Sequence, residues 1–169
     1  IMATNLELKI KINSVDEILT KIKSNKIEHK NTLVQKDIYY NNENGLLKLR
    51  KVNKDFELIK YNRNEKKGER WSNYSVIKMS GENVEDFLNE LFVVETIVEK
   101  VRELYLYKNT RIHLDNVKHL GIFLELETVV NEISKEEAIN EFEEVKSFLD
   151  LKFKKQIKKS YRDLILLSK

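Results

Sequence analysis

The stretch RIHLDNVKHLGIFLELE, residues 111–127, decides how the chain is read. Arg111, His113 and Asp115 fall at alternate positions, so on a strand they point one way while Ile112 and Leu114 point the other. Residues 116–121 read as a turn, and the alternation then resumes. Phe123, Glu125 and Glu127 share one face, and Leu124 and Leu126 share the other. One hairpin thus offers three carboxylates, an arginine and a histidine on one side, with aliphatic side chains behind. A solvated outer face explains one such hairpin. It does not explain the same pattern recurring along the chain.

The pattern does recur. Residues 5–13, NLELKIKIN, set Asn5, Glu7, Lys9 and Lys11 against Leu6, Leu8, Ile10 and Ile12. In residues 32–40, Gln35, Asp37 and Tyr39 share a face; Asn44-Gly45 then marks a hairpin, and Lys48 and Arg50 alternate with Leu47 and Leu49. A second hairpin is predicted from residues 56–63 and 70–79 around Lys67-Gly68, with Arg63, Arg70 and Lys78 as its charged candidates. Residues 93–107 read as a long strand with Lys100 and Arg102 on one face.

Helices separate these strands. Ser14 is the predicted N-cap of one with Ile18, Leu19 and Ile22 buried, and residues 24–30 read as loop. Residues 82–92 have helical spacing through Val84, Phe87, Leu88 and Leu91. Ser134 and Glu137 form a capping box for a helix over 134–151 with the stripe Ala138, Phe142, Val145, Phe148 and Leu149. A last helix is predicted from about Lys155, containing Lys159, Tyr161, Arg162, Leu164 and Leu167. The fold class is therefore α+β. Eight strands joined by short turns make an antiparallel sheet that can close into a barrel.

The helices need apolar partners. If they cover the outside of the barrel, the aliphatic strand faces turn outward and the charged faces line a lumen. That lumen would hold Glu7, Asp115, Glu125 and Glu127 against Lys9, Lys11, Lys48, Arg50, Arg63, Lys78, Lys100, Arg102 and Arg111. Burying an uncompensated ion costs several kcal/mol, so the lumen must take up water or a ligand. Excess cations select a polyanion, and carboxylates among them suit a hard divalent ion such as Mg²⁺ or Mn²⁺. Together they read as a site for a phosphate chain. With 4 glycines in the chain, a glycine-rich phosphate loop is excluded.

The bulk properties agree. The chain has 169 residues, enough for one domain with a real core. Its net charge of +3 comes from 31 basic and 28 acidic residues mixed throughout, unlike the basic block of a nucleic-acid-binding tail. The chain has no cysteine, which rules out disulfide and thiolate chemistry and accords with a reducing cytosol. No apolar run approaches the roughly 18 residues of a membrane span, and the N-terminus lacks a signal-peptide pattern. The expectation is one domain over residues 1–169, with residues 1–3 outside its ordered part. It is expected to be cytoplasmic, without membrane or nucleic-acid partners, and a homodimer stays open.

Taken in order, these segments resemble the CYTH superfamily, the triphosphate tunnel metalloenzymes, and within it the CyaB-like branch named for class IV adenylyl cyclase. LELKIKI resembles the opening Glu-x-Glu-x-Lys strand, and QKDIYYNNENGLLKLR the Gln-x-Asp-x-Tyr…Gly-x-Leu-Lys-Leu-Arg segment. LIKYNR with SNY resembles the next hairpin. EKVRELYLYKNTRIHLDNVKHLGIFLELE resembles the Lys-x-Arg strand, the Arg-Ile-His-Leu-Asp strand and the closing Glu-Leu-Glu. The resemblance implies an eight-stranded antiparallel tunnel with a charged lumen. It implies that Glu7, Glu125 and Glu127 hold Mg²⁺ or Mn²⁺ with Asp115 nearby. It further implies that Lys9, Lys48, Arg50, Lys100, Arg102 and Arg111 clamp the phosphates, with Arg63, Lys78 and Lys159 as further candidates. Lys9, Lys100 and Arg102 are the catalytic candidates among them.

The chain departs from the pattern at Asn5, where the family's first glutamate falls. An amide oxygen can ligate a metal but brings no charge, so weaker or fewer metal sites are expected. Three readings stay open: a cyclase turning ATP into cyclic AMP and pyrophosphate, a triphosphatase acting on thiamine triphosphate, tripolyphosphate or a nucleotide, and a polyphosphate-binding module with little turnover. His113 reads as a structural histidine, His29 and His119 as surface residues, and Tyr39 as a lumen residue within reach of a base or sugar.

Overall fold

The computed structural model describes residues 2–66, 69–130, 133–152 and 154–168, without the side chains of residues 2–4, 62–66 and 69–73. The strands are β1 (Met2–Lys11), β2 (Glu28–Tyr40), β3 (Leu46–Val52), β4 (Asp55–Lys66), β5 (Glu69–Met79), β6 (Val94–Tyr107), β7 (Thr110–Val117) and β8 (Gly121–Val129). The helices are α1 (Asp16–Ser24), α2 (Val84–Leu91), α3 (Lys135–Phe148) and α4 (Tyr161–Leu167).

The eight strands close into an antiparallel barrel in the order β1-β5-β4-β3-β2-β6-β7-β8. Two meanders, β2–β5 and β6–β8, are joined along β2–β6, and β1 completes the ring between β5 and β8. The register sets the lumen. Glu7 faces Glu127 and Lys9 faces Glu125 across β1–β8; Asp37 faces Arg50 across β2–β3; Arg102 faces Asp115 across β6–β7.

The aliphatic faces point outward, as the helix stripes require. Leu6, Leu8 and Ile10 of β1, Ile112 and Leu114 of β7, and Leu124 and Leu126 of β8 pack with Ile18 and Ile22 of α1 and with Phe142 and Val145 of α3. α2 covers β2 and β3, placing Val84 and Leu88 on Ile38, Tyr40 and Leu49. α4 does something different. Its Tyr161 and Ile165 cluster with Tyr39, Val98, Val117 and Phe123, which belong to the inward-facing set.

Three local expectations differ from the structure. Residues 28–30 are strand, not loop: their exposed polar side chains hide the signal, but this end of β2 pairs with the far end of β6. The N-cap of α1 is Val15, although Ser14 Oγ still accepts the Asp16 N–H at 3.2 Å. α4 begins at Tyr161, later than predicted, where Ser160 and Asp163 form a capping box. The capping box of Ser134 and Glu137 is present as predicted. Among the described residues no helix is long and apolar enough to cross a membrane.

Candidate active site

The lumen encloses a cavity of about 380 Å³. β1 contributes Asn5, Glu7 and Lys9; β2 Gln35, Asp37 and Tyr39; β3 Lys48 and Arg50; β6 Lys100 and Arg102; β7 Arg111 and His113; β8 Glu125 and Glu127. All sit at alternate positions on their strands, so the period-2 pattern is what brings them together. The β4–β5 wall is different: Ile59, Tyr61, Tyr74 and Val76 give it an aliphatic and aromatic character, with Glu57 at its edge. Ser160 and Tyr161 line the cavity from the start of α4.

Two aspartates organise the cations. Asp37 accepts Lys48 Nζ at 2.7 Å and both Arg50 Nε and Nη2 at 2.8 Å. Asp115 accepts Arg102 Nε and Nη2 at 2.6 Å, Lys100 Nζ at 3.1 Å and the Tyr161 hydroxyl at 2.9 Å. Each is thus a Lys-x-Arg pair on one strand gripped by an aspartate on its neighbour. Burial works against ionisation of Asp37 and Asp115, but Arg50 with Lys48, and Arg102 with Lys100, hold them well below the usual carboxylate range. The lysines respond the other way. Burial, then the charge of Arg50, brings Lys48 down to about 7, and burial with Arg102 lowers Lys100.

Tyr161, at the start of α4, joins the Asp115 clamp to Lys9. Its ring lies under Lys9 Nζ at 4.1 Å and Lys100 Nζ at 4.9 Å, close enough for cation–π attraction. Lys9 Nζ also donates to the Lys159 carbonyl at 3.2 Å and pairs with Glu125 Oε1 at 3.0 Å.

The third group is acidic. Glu125 Oε2 takes Arg102 Nη2 at 2.6 Å, and Glu127 Oε2 takes Arg111 Nη2 at 2.9 Å. Burial opposes their ionisation, yet Lys9 and Arg102 hold Glu125 low, and His113, Arg111 and Arg102 hold Glu127 at about 2. His113 is buried beside them. Burial, reinforced by Arg102, pushes its imidazole down to about 3, which keeps it neutral near pH 7.

The predicted site residues divide as follows. Glu7, Lys9, Lys48, Arg50, Lys100, Arg102, Arg111, Glu125 and Glu127 line the cavity together. Asp115 is buried in its clamp of cations, and Arg102 links it to Glu125. Lys78 and Lys159 have exposed side chains, and Lys159 reaches the site through its carbonyl. The Arg63 and Arg70 side chains lie outside the described residues. Sequence reasoning left Asp37 and Tyr161 out of the site and read His113 as structural. Asp37 shares the parity of Gln35 and Tyr39, a signal that was present; Tyr161 arrives on a helix, where strand parity says nothing.

A CYTH domain model matches residues 3–161. The chain belongs to the CYTH family. A Methanocaldococcus jannaschii protein provisionally named an adenylate cyclase is 34% identical over 68 residues, a match spanning 40% of this chain and 39% of that protein. The structure of the PH1012 protein from Pyrococcus horikoshii superposes with a TM-score of 0.81 at 24% identity, over 95% of this chain and 98% of that one. A Hippeastrum protein, provisionally named an adenylyl cyclase and described with a dominant triphosphatase activity, has a TM-score of 0.69 at 12% identity, over 99% of this chain and 96% of its own. The structural likenesses establish the CYTH fold. The family implies a divalent metal, and the residues present fit one. Ligand atoms of His113, Glu125 and Glu127 lie within 4.8 Å of one another, and the buried His113 Nδ1 has no hydrogen-bond partner among the described residues.

Proposed function

We propose that the barrel binds a nucleoside triphosphate along its cationic walls and acts on it as a class IV adenylyl cyclase, releasing cyclic AMP and pyrophosphate. The observation that carries this reading is the gathering of Lys9, Lys48, Arg50, Lys100 and Arg102 around one cavity beside the His113–Glu125–Glu127 group. Glu125 and Glu127, with Glu7 adjoining, would hold the metal, which when bound would supply positive charge to offset the negative charge developing on the phosphates.

The protein's own residues do the rest. The two Lys-x-Arg pairs exchange part of their bonding to Asp37 and Asp115 for phosphate oxygens. Lys9, Lys100 and Arg102 stabilise the negative charge that builds on the leaving pyrophosphate as the ribose 3′-hydroxyl attacks the α-phosphorus. Arg111, which lines the same cavity, is a further phosphate contact in this reading. The aliphatic and tyrosine wall of β4–β5 offers a surface for an organic group, which supports a nucleotide over bare tripolyphosphate.

Triphosphate hydrolysis is the second reading, favoured by the activity described for the Hippeastrum relative in fold. The same clamp serves both, and the nucleophile differs: water attacks the terminal phosphorus in place of the 3′-hydroxyl at the α-phosphorus. Product identification separates them. Incubation with ATP, thiamine triphosphate and tripolyphosphate, with Mg²⁺ or Mn²⁺, yields cyclic AMP and pyrophosphate for a cyclase. Orthophosphate with a diphosphate product means a triphosphatase. Tight binding without turnover leaves a binding module, and Asn5→Glu then becomes the informative change. A rate rise of about tenfold, about 1.4 kcal/mol in the barrier, would assign the attenuation to that position.

A further inference from the structure

His113 has the geometry of a metal ligand. It is 3% exposed, and its Nδ1 is buried with no hydrogen-bond partner among the described residues. A buried polar atom left unsatisfied is unfavourable unless something it binds is missing from view. The β7–β8 register places His113 opposite Glu125 and one rung from the Arg111–Glu127 pair, so both carboxylates flank the imidazole. The nearest of their oxygens, Glu127 Oε1, is 3.9 Å from Nδ1, and it is not the oxygen that pairs with Arg111.

Asp115 is poorly placed for the same task. Its two oxygens already accept three hydrogen bonds from Arg102 and Lys100 and a fourth from the Tyr161 hydroxyl. Asn5 adds no charge to the site. The donor set that the geometry gathers most closely is one nitrogen and two carboxylates, with Glu7 across the β1–β8 pairing from Glu127.

We infer that His113 ligates the divalent metal together with Glu125 and Glu127, making a mixed nitrogen–oxygen site that prefers Co²⁺ and Zn²⁺ to Mg²⁺. The inference rests on the metal-dependent reading above and deepens it. Metal–nitrogen and metal–oxygen bonds of about 2.0–2.2 Å keep two ligands of one ion within about 4.2 Å of each other. The present spread of 4.8 Å or less needs only a small side-chain contraction. An imidazole donor favours the later first-row ions, whereas Mg²⁺ favours oxygen alone.

The test uses the whole chain, stripped of metal, titrated with Co²⁺, Mn²⁺ and Mg²⁺ in turn, with and without tripolyphosphate. Binding is followed by calorimetry and visible absorption, and the Mn²⁺ complex by pulsed electron paramagnetic resonance. The expected result is nitrogen coupling to Mn²⁺ in the wild type that is lost in His113→Gln. Co²⁺ affinity should fall by about tenfold or more in that variant, while Mg²⁺ affinity changes far less. Wild-type protein that binds metal without nitrogen coupling overturns the inference. So does an unchanged Co²⁺ affinity in His113→Gln. Glu127→Gln separates the two levels: if it loses metal while His113→Gln does not, the metal-dependent reading stands and the histidine assignment falls. If no metal binds to the wild type, both fall. Should His113→Gln not fold, the wild-type nitrogen signal decides alone.

Discussion

Lys48 is the residue whose charge is set most finely. Burial and Arg50 lower it to about 7, and Asp37 pulls the other way. A cation that titrates near neutrality makes anion binding depend on pH. As pH rises through 7, free Lys48 loses its proton and the phosphate clamp loses one charge. Tripolyphosphate affinity measured by calorimetry should therefore weaken between about pH 6 and pH 8, and Lys48→Met should abolish that step while lowering affinity at pH 6. Arg50 stays charged throughout, because Asp37 outweighs its burial. Arg50→Ala should weaken triphosphate binding at every pH, by about 1.5–3 kcal/mol for one charge-assisted contact.

At the scale of elements, two helices are tied to the barrel by polar residues. Glu141 of α3 is buried and accepts the Asn109 N–H at 2.9 Å, the Asn109 side-chain amide at 3.0 Å and the Thr110 hydroxyl at 2.6 Å. It locks α3 to the β6–β7 turn. Glu141→Ala strands those donors, and urea denaturation should report a loss of about 3 kcal/mol with metal affinity unchanged. In α4 one such tie is Tyr161. Tyr161→Phe keeps the ring beneath Lys9 and Lys100 but removes the hydroxyl from Asp115. The same measurement should show a loss of about 1.5 kcal/mol, and triphosphate affinity should shift as well, since Asp115 positions Lys100 and Arg102. Arg162, paired with both oxygens of Glu95 on β6, anchors the helix from its other side.

The whole molecule should respond to acid in two stages. His113 is held neutral, its pKa lowered from 6.5 to about 3, so below pH 6.5 the unfolded chain gains a proton that the folded one refuses. Its contribution to stability is present above pH 6.5 and is lost as pH falls toward 3. Glu127, lowered from 4.5 to about 2, contributes above pH 4.5 and loses that contribution as pH falls to 2. Asp37, Asp115 and Glu125 shift in the same direction and add to this second stage. Thermal unfolding of metal-free protein should thus show the melting temperature falling from about pH 6.5 downward and more steeply below pH 4.5. His113→Gln should remove the upper stage alone.

Much of this was legible in the sequence. Strict alternation in residues such as Glu7, Lys9, Glu125 and Glu127 fixes which side chains share a face, because a strand has a period of two. The apolar stripes of α1 and α3 then require the aliphatic faces to turn outward, which puts the charges inside. Turn residues such as Asn44-Gly45 mark the local hairpins. None of these signals says which distant strands meet. The pairings of β1 with β5 and β8, and of β2 with β6, arise from closure of the ring, a long-range event with no local code. Closure is what sets Lys9 against Glu125 and brings the two aspartate clamps side by side. It also decides that Asp115 serves the cations while His113 is left facing the carboxylates. The entry of Tyr161 into the lumen depends on where α4 packs, which its seven residues do not encode by themselves. Sequence determines the face each side chain takes; the tertiary structure determines its neighbours, because neighbours come from strands far apart along the chain.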